Sequence, residues 1–346
     1  MSFEKQTETA LTEVSEPAGK GKSMKIVITG GEAFEAAALC GVLRSEFDAR
    51  VVYLGRDGAV EKSDAFTHVS TSAKFSSFEL DPADVDAGTD ILRFEQPDAV
   101  IELAGPEGDL QTTTNYLAAA GAYWAELAKA RKAAFRFVHA WPRDSANADG
   151  YGASEAMVAE RVAATGIPAL SVRTGSSFGP YQSPLAQLPL WITNAILGRE
   201  LPLANLGLDR TPRLDAEDLA RGLIAAATAG APGCRYALEP ESAVSNLELL
   251  HRLCEILDER SPRDDGAAHA SAIAFDGVAR LVAAAGAKAG GDLPPPNGWR
   301  PSEPLETSLA RLVEWHIAHD SWWIPQCLAA AAAPKRGKAD KARNAA

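Results

Sequence analysis

Lys25-Ile26-Val27-Ile28-Thr29-Gly30-Gly31 runs into Glu32-Ala33-Phe34-Glu35-Ala36-Ala37-Ala38-Leu39, and this junction decides the fold. A β-branched apolar run ends in two glycines, and the residues through Phe47 then carry helical spacing. Strand, glycine turn and helix in that order open a parallel β-α-β arrangement. Working outward, Arg50–Arg56 reads as a second strand and Pro97–Gly105 as another. A helix follows over 112–132, with Tyr116, Leu117, Ala120, Tyr123, Trp124 and Leu127 on its apolar side. Ala134–Trp141 and Ile167–Gly175 continue the strands, with a helix over 152–165 between them. Strands spaced by helices predict a doubly wound α/β fold, a parallel sheet with helices on both faces.

After Gly175 the rhythm changes to prolines and short helices. Residues 176–328 read mainly as a smaller lobe, and a strand near 234–238 is expected to return to the main sheet. A final amphipathic helix is predicted from Leu305 to Trp323. Residues 1–23 and 329–346 read as disordered tails, the second basic through Lys335, Arg336, Lys338, Lys341 and Arg343.

Composition narrows the function classes. Across 346 residues the net charge is −12, which argues against nucleic acid or an anionic membrane as the main partner. No apolar run reaches the ~20 residues of a membrane span. The N-terminus lacks the apolar core of a secretion signal, so a cytoplasmic protein is expected. Cys40, Cys234, Cys254 and Cys327 lie far apart and show no metal-binding spacing, so no metal site is expected.

Five stretches carry a resemblance in order. They are FGPYQSP (178–184), GRELPL (198–203), AEDLARGL (216–223), SNLELLHRLCEILDE (245–259) and GWRPSEPLETSLARLVEWHIAHDSWW (298–323). Together with the glycine turn, the chain from about Met24 to Trp323 resembles the extended short-chain dehydrogenase/reductases. Within them it looks like the dTDP-glucose 4,6-dehydratase branch of the nucleotide-sugar epimerase/dehydratases. The resemblance implies a Rossmann-like dinucleotide-binding domain over 24–175 and a substrate-binding lobe after it. It also implies NAD or NADP as cofactor, a nucleotide-sugar ligand, and a dimer through the helices at 112–132 and 152–165.

The positions that would carry chemistry depart from that pattern. The family turn reads TGGxGFIG; here it is Thr29, Gly30, Gly31, Glu32, Ala33, Phe34, Glu35 and Ala36. Two glycines become Ala33 and Ala36, and two carboxylates face the expected diphosphate. Either dinucleotide binding is weakened or the turn holds no ligand. After the second strand Gly55 falls near the expected ribose-binding acid. Arg56 either meets a 2′-phosphate or is a surface arginine.

The family's Ser-Thr-Asp-Glu run aligns with Trp141, Pro142, Arg143 and Asp144, so Asp144 alone stands where a base is expected. The Tyr-x-x-x-Lys pair becomes Tyr151 and Glu155. At ~5 Å and an effective dielectric of ~20, one unit charge is worth roughly 3 kcal/mol, so Glu155 in place of an ammonium keeps Tyr151 a neutral phenol. On the substrate side two family asparagines align with Ser176 and Ser177. A phosphate-binding arginine position falls on Thr211, flanked by Arg210 and Arg213, which either reach a diphosphate or are solvated. Glu102 stands in a strand where family members often carry His.

The scaffold signature persists while these positions change together. A catalytically impaired relative that binds a nucleotide sugar, a dinucleotide or an active paralogue is the favoured expectation. The alternative is an active NAD(P)-dependent enzyme with a rearranged site, in which Tyr151 borrows an amine such as Lys129 or Lys132.

Overall fold

The computed structural model describes residues 23–31, 33–56, 60–103, 110–129, 135–142, 164–240, 243–276 and 293–332. Among these, the first half alternates as expected. Strand β1 (Lys25–Gly30) leads to helix α1 (Ala33–Phe47), β2 (Arg50–Gly55) and β3 (Phe75–Glu79). Helix α2 (Val85–Glu95), β4 (Ala99–Leu103), α3 (Leu110–Lys129), β5 (Arg136–Pro142) and β6 (Ala169–Thr174) follow. Then come β7 (Ser176–Phe178), α4 (Gln187–Ile196), β8 (Leu201–Ala204), β9 (Arg213–Asp215) and α5 (Ala216–Ala229). The chain continues with β10 (Arg235–Leu238), α6 (Asn246–Arg260), β11 (Ile273–Asp276), α7 (Leu305–Ala318) and α8 (Asp320–Ala332).

Seven strands form one parallel sheet in the order β3-β2-β1-β4-β5-β6-β10. The expected doubly wound sheet is therefore present. Its central strands are buried on both faces, so alternate residues feed two cores. Ile28, Ile101 and Val138 pack with α1 and α5, whereas Val27, Val100 and Phe137 pack with α2 and α3. A third core, around Phe178, Trp191, Leu203, Leu253 and Leu312, belongs to the later residues. Two small parallel pairs, β7 with β9 and β8 with β11, accompany it.

Chain order and packing do not coincide. Helix α5 lies against the main sheet through Leu219, Leu223 and Ile224, and β10 extends that sheet beside β6. Asp215 caps α5 by accepting from the Glu217 amide at 2.9 Å and also receives Arg311 of α7 at 2.9 Å, tying the lobes together.

Three expectations are corrected. The single helix expected from Leu305 to Trp323 is two helices broken at His319, which leaves helical geometry with φ −123°. The second of these runs to Ala332, past the expected tail boundary at 329. The helix expected over 112–132 is described from Leu110 to Lys129, two residues earlier at its start. Strand β3 was not anticipated, because FSSFE carries too little apolar character to signal a strand. No described helix is long and apolar enough to cross a membrane.

Candidate functional site

The chain reverses its winding direction between β1 and β4, where an open parallel sheet leaves a crevice at the carboxyl ends of its strands. Gly30 and Gly31 line it at φ +73° and +76°. A β-carbon on Gly30 would sit 2.3 Å from the Leu103 carbonyl oxygen, and one on Gly31 would sit 2.6 Å from Leu103 Cβ. Only glycine fits this close approach of β1 to β4. Ala33 opens α1, and its methyl packs on the core of the main sheet. Phe34 and Ala36 are buried.

Glu35 lies in the first turn of α1, where a negative charge complements the helix dipole. Its Oε1 accepts a hydrogen bond from the Ser177 hydroxyl. Ser177 sits on β7 beside Phe178, which is buried in the third core. Two positions that depart from the family pattern, 142 residues apart, thus form one contact. That carboxylate occupies the turn's electropositive end.

The substrate candidates Arg210 and Arg213 and the cofactor candidate Arg56 also have internal partners. Arg213 donates through Nη1 to Ser176 Oγ at 3.1 Å, and through Nη2 to Gln187 Oε1 and to Asn246 Oδ1 at 3.5 Å. Arg210 donates to the Ala243 carbonyl at 2.9 Å and pairs by a β-bridge with Ser245, the cap of α6. Arg56 donates to Thr112 Oγ1 at 2.5 Å on α3.

The sequence did not announce a polar row on the sheet face covered by α2 and α3. Thr29, Glu102, His139 and Ser171 stand side by side on β1, β4, β5 and β6. Glu102 is 2% exposed; it accepts from Thr113 Oγ1 at 2.6 Å and its Oε2 lies 2.5 Å from His139 Nδ1. Both carboxylate oxygens thus have partners, as burial of this group demands. The neighbouring Tyr116 is buried, which pushes its phenol above the ordinary range. The available signal was a polar residue at the same phase in two apolar strands, Glu102 in PDAVIELAG and His139 in AFRFVHAW.

At the end of β5, Trp141 is buried where the resemblance expects a serine, and its indole Nε1 has no partner among the described residues. Buried Arg173 stands opposite it on β6, 3.4 Å from Glu239. Asp144, Tyr151 and Glu155, with Arg143 and Lys132, lie outside the described residues, so their expected roles stay expectations. No group of three or more metal-ligating side chains occurs among the described residues. Cys40 and Cys254 are buried free thiols, with burial pushing the Cys254 thiol up to about 12.

Residues 146–238 match the NAD dependent epimerase/dehydratase family. The chain carries an epimerase/dehydratase-family domain. Along most of its length the chain is similar to dTDP-glucose 4,6-dehydratases. That of Shigella flexneri is 27% identical, over 86% of this chain and 94% of the relative. That of Neisseria meningitidis serogroup B is 28% identical, over 86% and 95%. Among solved structures, dTDP-glucose 4,6-dehydratase from Bacillus anthracis in complex with NAD superposes with a TM-score of 0.68 at 16% identity, covering 88% of this chain and 99% of that one. UDP-glucuronic acid 4-epimerase from Bacillus cereus, in complex with UDP-glucuronic acid and NAD, gives 0.63 at 16%, covering 85% and 99%. At these identities the structures establish a shared fold alone.

NAD is the group this family domain implies, and the diphosphate end of the turn does not fit it. The glycines admit a close approach of backbone, but Glu35, in the first turn of α1 and bonded by Ser177, adds negative charge at the helix end that a diphosphate would have to approach. With unit charges ~5 Å apart at an effective dielectric of ~20, each like-charge pair costs roughly 3 kcal/mol.

Proposed function

We propose that this chain is a catalytically impaired member of the nucleotide-sugar dehydratase/epimerase group that acts by binding. Its ligand is a nucleotide sugar, taken by the later lobe, and it works in the cytoplasm. It pairs with itself or with an active relative through α3 and the helix expected over 152–165, most of which lies outside the described residues. The observation that carries the reading is the hydrogen bond from Ser177 to Glu35. It joins a cofactor-side and a substrate-side position in a contact that serves the fold. Trp141 supports the same conclusion, since an indole cannot polarise a sugar hydroxyl as a serine or threonine does.

The test is direct. Purified protein is incubated with dTDP-glucose and NAD+, and 4-keto product is followed alongside calorimetric titration with dTDP and dTDP-glucose. Binding without product is expected. Product formation at rates typical of enzymes would overturn the reading.

A second reading, an active NAD(P)-dependent enzyme with Tyr151 in a rearranged site, has one observation in its favour. Glu102 holds His139 in the carboxylate–imidazole arrangement that acid–base catalysts use.

A further inference from the structure

We propose that Glu35 closes the turn after β1 to dinucleotide diphosphates, and that with Ser177 it forms a latch holding the two lobes together without a ligand. The proposal deepens the reading above and rests on it for the identity of this turn as the family's dinucleotide site.

Three features converge at one place. The amides at the start of α1 form the electropositive end of a helix, which attracts a carboxylate or a phosphate equally well. Glu35 supplies that negative charge from within the chain. The Ser177 hydroxyl, from β7, donates to the same carboxylate. Ser177 adjoins Phe178 in the third core, whereas Ala36 and Ala37 beside Glu35 belong to the core of the main sheet. The bond therefore spans two cores. Here the charge is built in, and a second anion meets repulsion.

Charge and latch are separable by substitution. Glu35→Gln keeps an oxygen for the Ser177 hydroxyl and removes the charge. Ser177→Ala keeps the charge and removes the latch. Each variant and the wild type are titrated calorimetrically with NAD+ and with ADP, after circular dichroism has shown native folding. The wild type and Ser177→Ala are expected to show no saturable NAD+ binding. Glu35→Gln is expected to gain at least about tenfold in affinity, a conservative share of the like-charge cost. Ser177→Ala alone is expected to lower the melting temperature. Wild type that binds NAD+ as tightly as Glu35→Gln overturns the proposal. So does a Glu35→Gln protein that remains without binding, because charge would then not be the determinant. An unchanged melting temperature in Ser177→Ala overturns the latch. NAD+ binding by the wild type without dTDP-glucose turnover would sink this inference alone. Binding with turnover would sink the function proposed above as well.

Discussion

Glu102 Oε2 lies 2.5 Å from His139 Nδ1 across the β4–β5 ladder, and both side chains are almost sealed from water. Glu102→Ala leaves the imidazole and the Thr113 hydroxyl facing an empty acceptor position. A loss of about 3 kcal/mol is expected, the cost of stranding buried polar groups. Urea unfolding with an unchanged m-value measures it. A loss under about 0.5 kcal/mol, within the ordinary range for surface substitutions, would show that the pair contributes nothing to stability.

His316 supplies a pH signature. Its Nδ1 donates to the Leu312 carbonyl at 2.9 Å, while Nε2 is buried without a partner among the described residues. Burial lowers its pKa from 6.5 to about 4, with the Leu312 carbonyl opposing that shift and His319 adding to it. Between these values the unfolded chain binds a proton that the folded chain refuses, so stability rises with pH across the window. As pH falls from 6.5 to 4, the His316 contribution should decline by about 3 kcal/mol. The difference in unfolding free energy between wild type and His316→Gln, followed over that range, reports it. A pH-independent difference would contradict the assignment.

Two glycines with similar dihedrals should respond differently to alanine. Gly30→Ala forces a β-carbon to 2.3 Å from the Leu103 carbonyl oxygen at φ +73°, whereas Gly166 has φ +64° with nothing within 4 Å among the described residues. The second substitution should cost about 1 kcal/mol, the left-handed backbone penalty alone. The first adds displacement of β4 and should cost about 3 kcal/mol or more, or prevent folding. Thermal unfolding of the two variants side by side decides the ranking.

Leu206 holds a left-handed conformation, φ +53°, between Asn205 and Gly207, which are also left-handed. Its side chain is 40% exposed, so little burial offsets the strain. Leu206→Asn should stabilise the protein by about 1 kcal/mol, because asparagine tolerates this region. A lower melting temperature in that variant would mean that the leucine has a packing role the backbone strain conceals.

Much of the scaffold was legible because the period of the apolar residues is a local property. KIVITGG and RVVYLGR declare strands within a few residues, and Gly30 declares its turn. FSSFE did not, since its strand character comes from pairing with β2. The break at His319 was hidden for the related reason that the apolar stripe continues on both sides, to Trp323. At the site, Glu35 and Ser177 were each visible as unusual residues. Their contact was not, because it depends on how β7 is carried across to α1 by packing distant in sequence. Glu102 and His139 were visible as polar interruptions, and only the strand register made them neighbours.

The placement of α5 and β10 on the main sheet has a consequence for synthesis. A ribosome releases β1 through β6 while the cover for one sheet face, α5, and the edge strand β10 are still being made. Until Leu238 emerges, the apolar face formed by Ile28, Ile101, Val138 and Val172 lacks that cover. The nascent chain must therefore wait, shielded or at risk of association, for its second half before its first half can close.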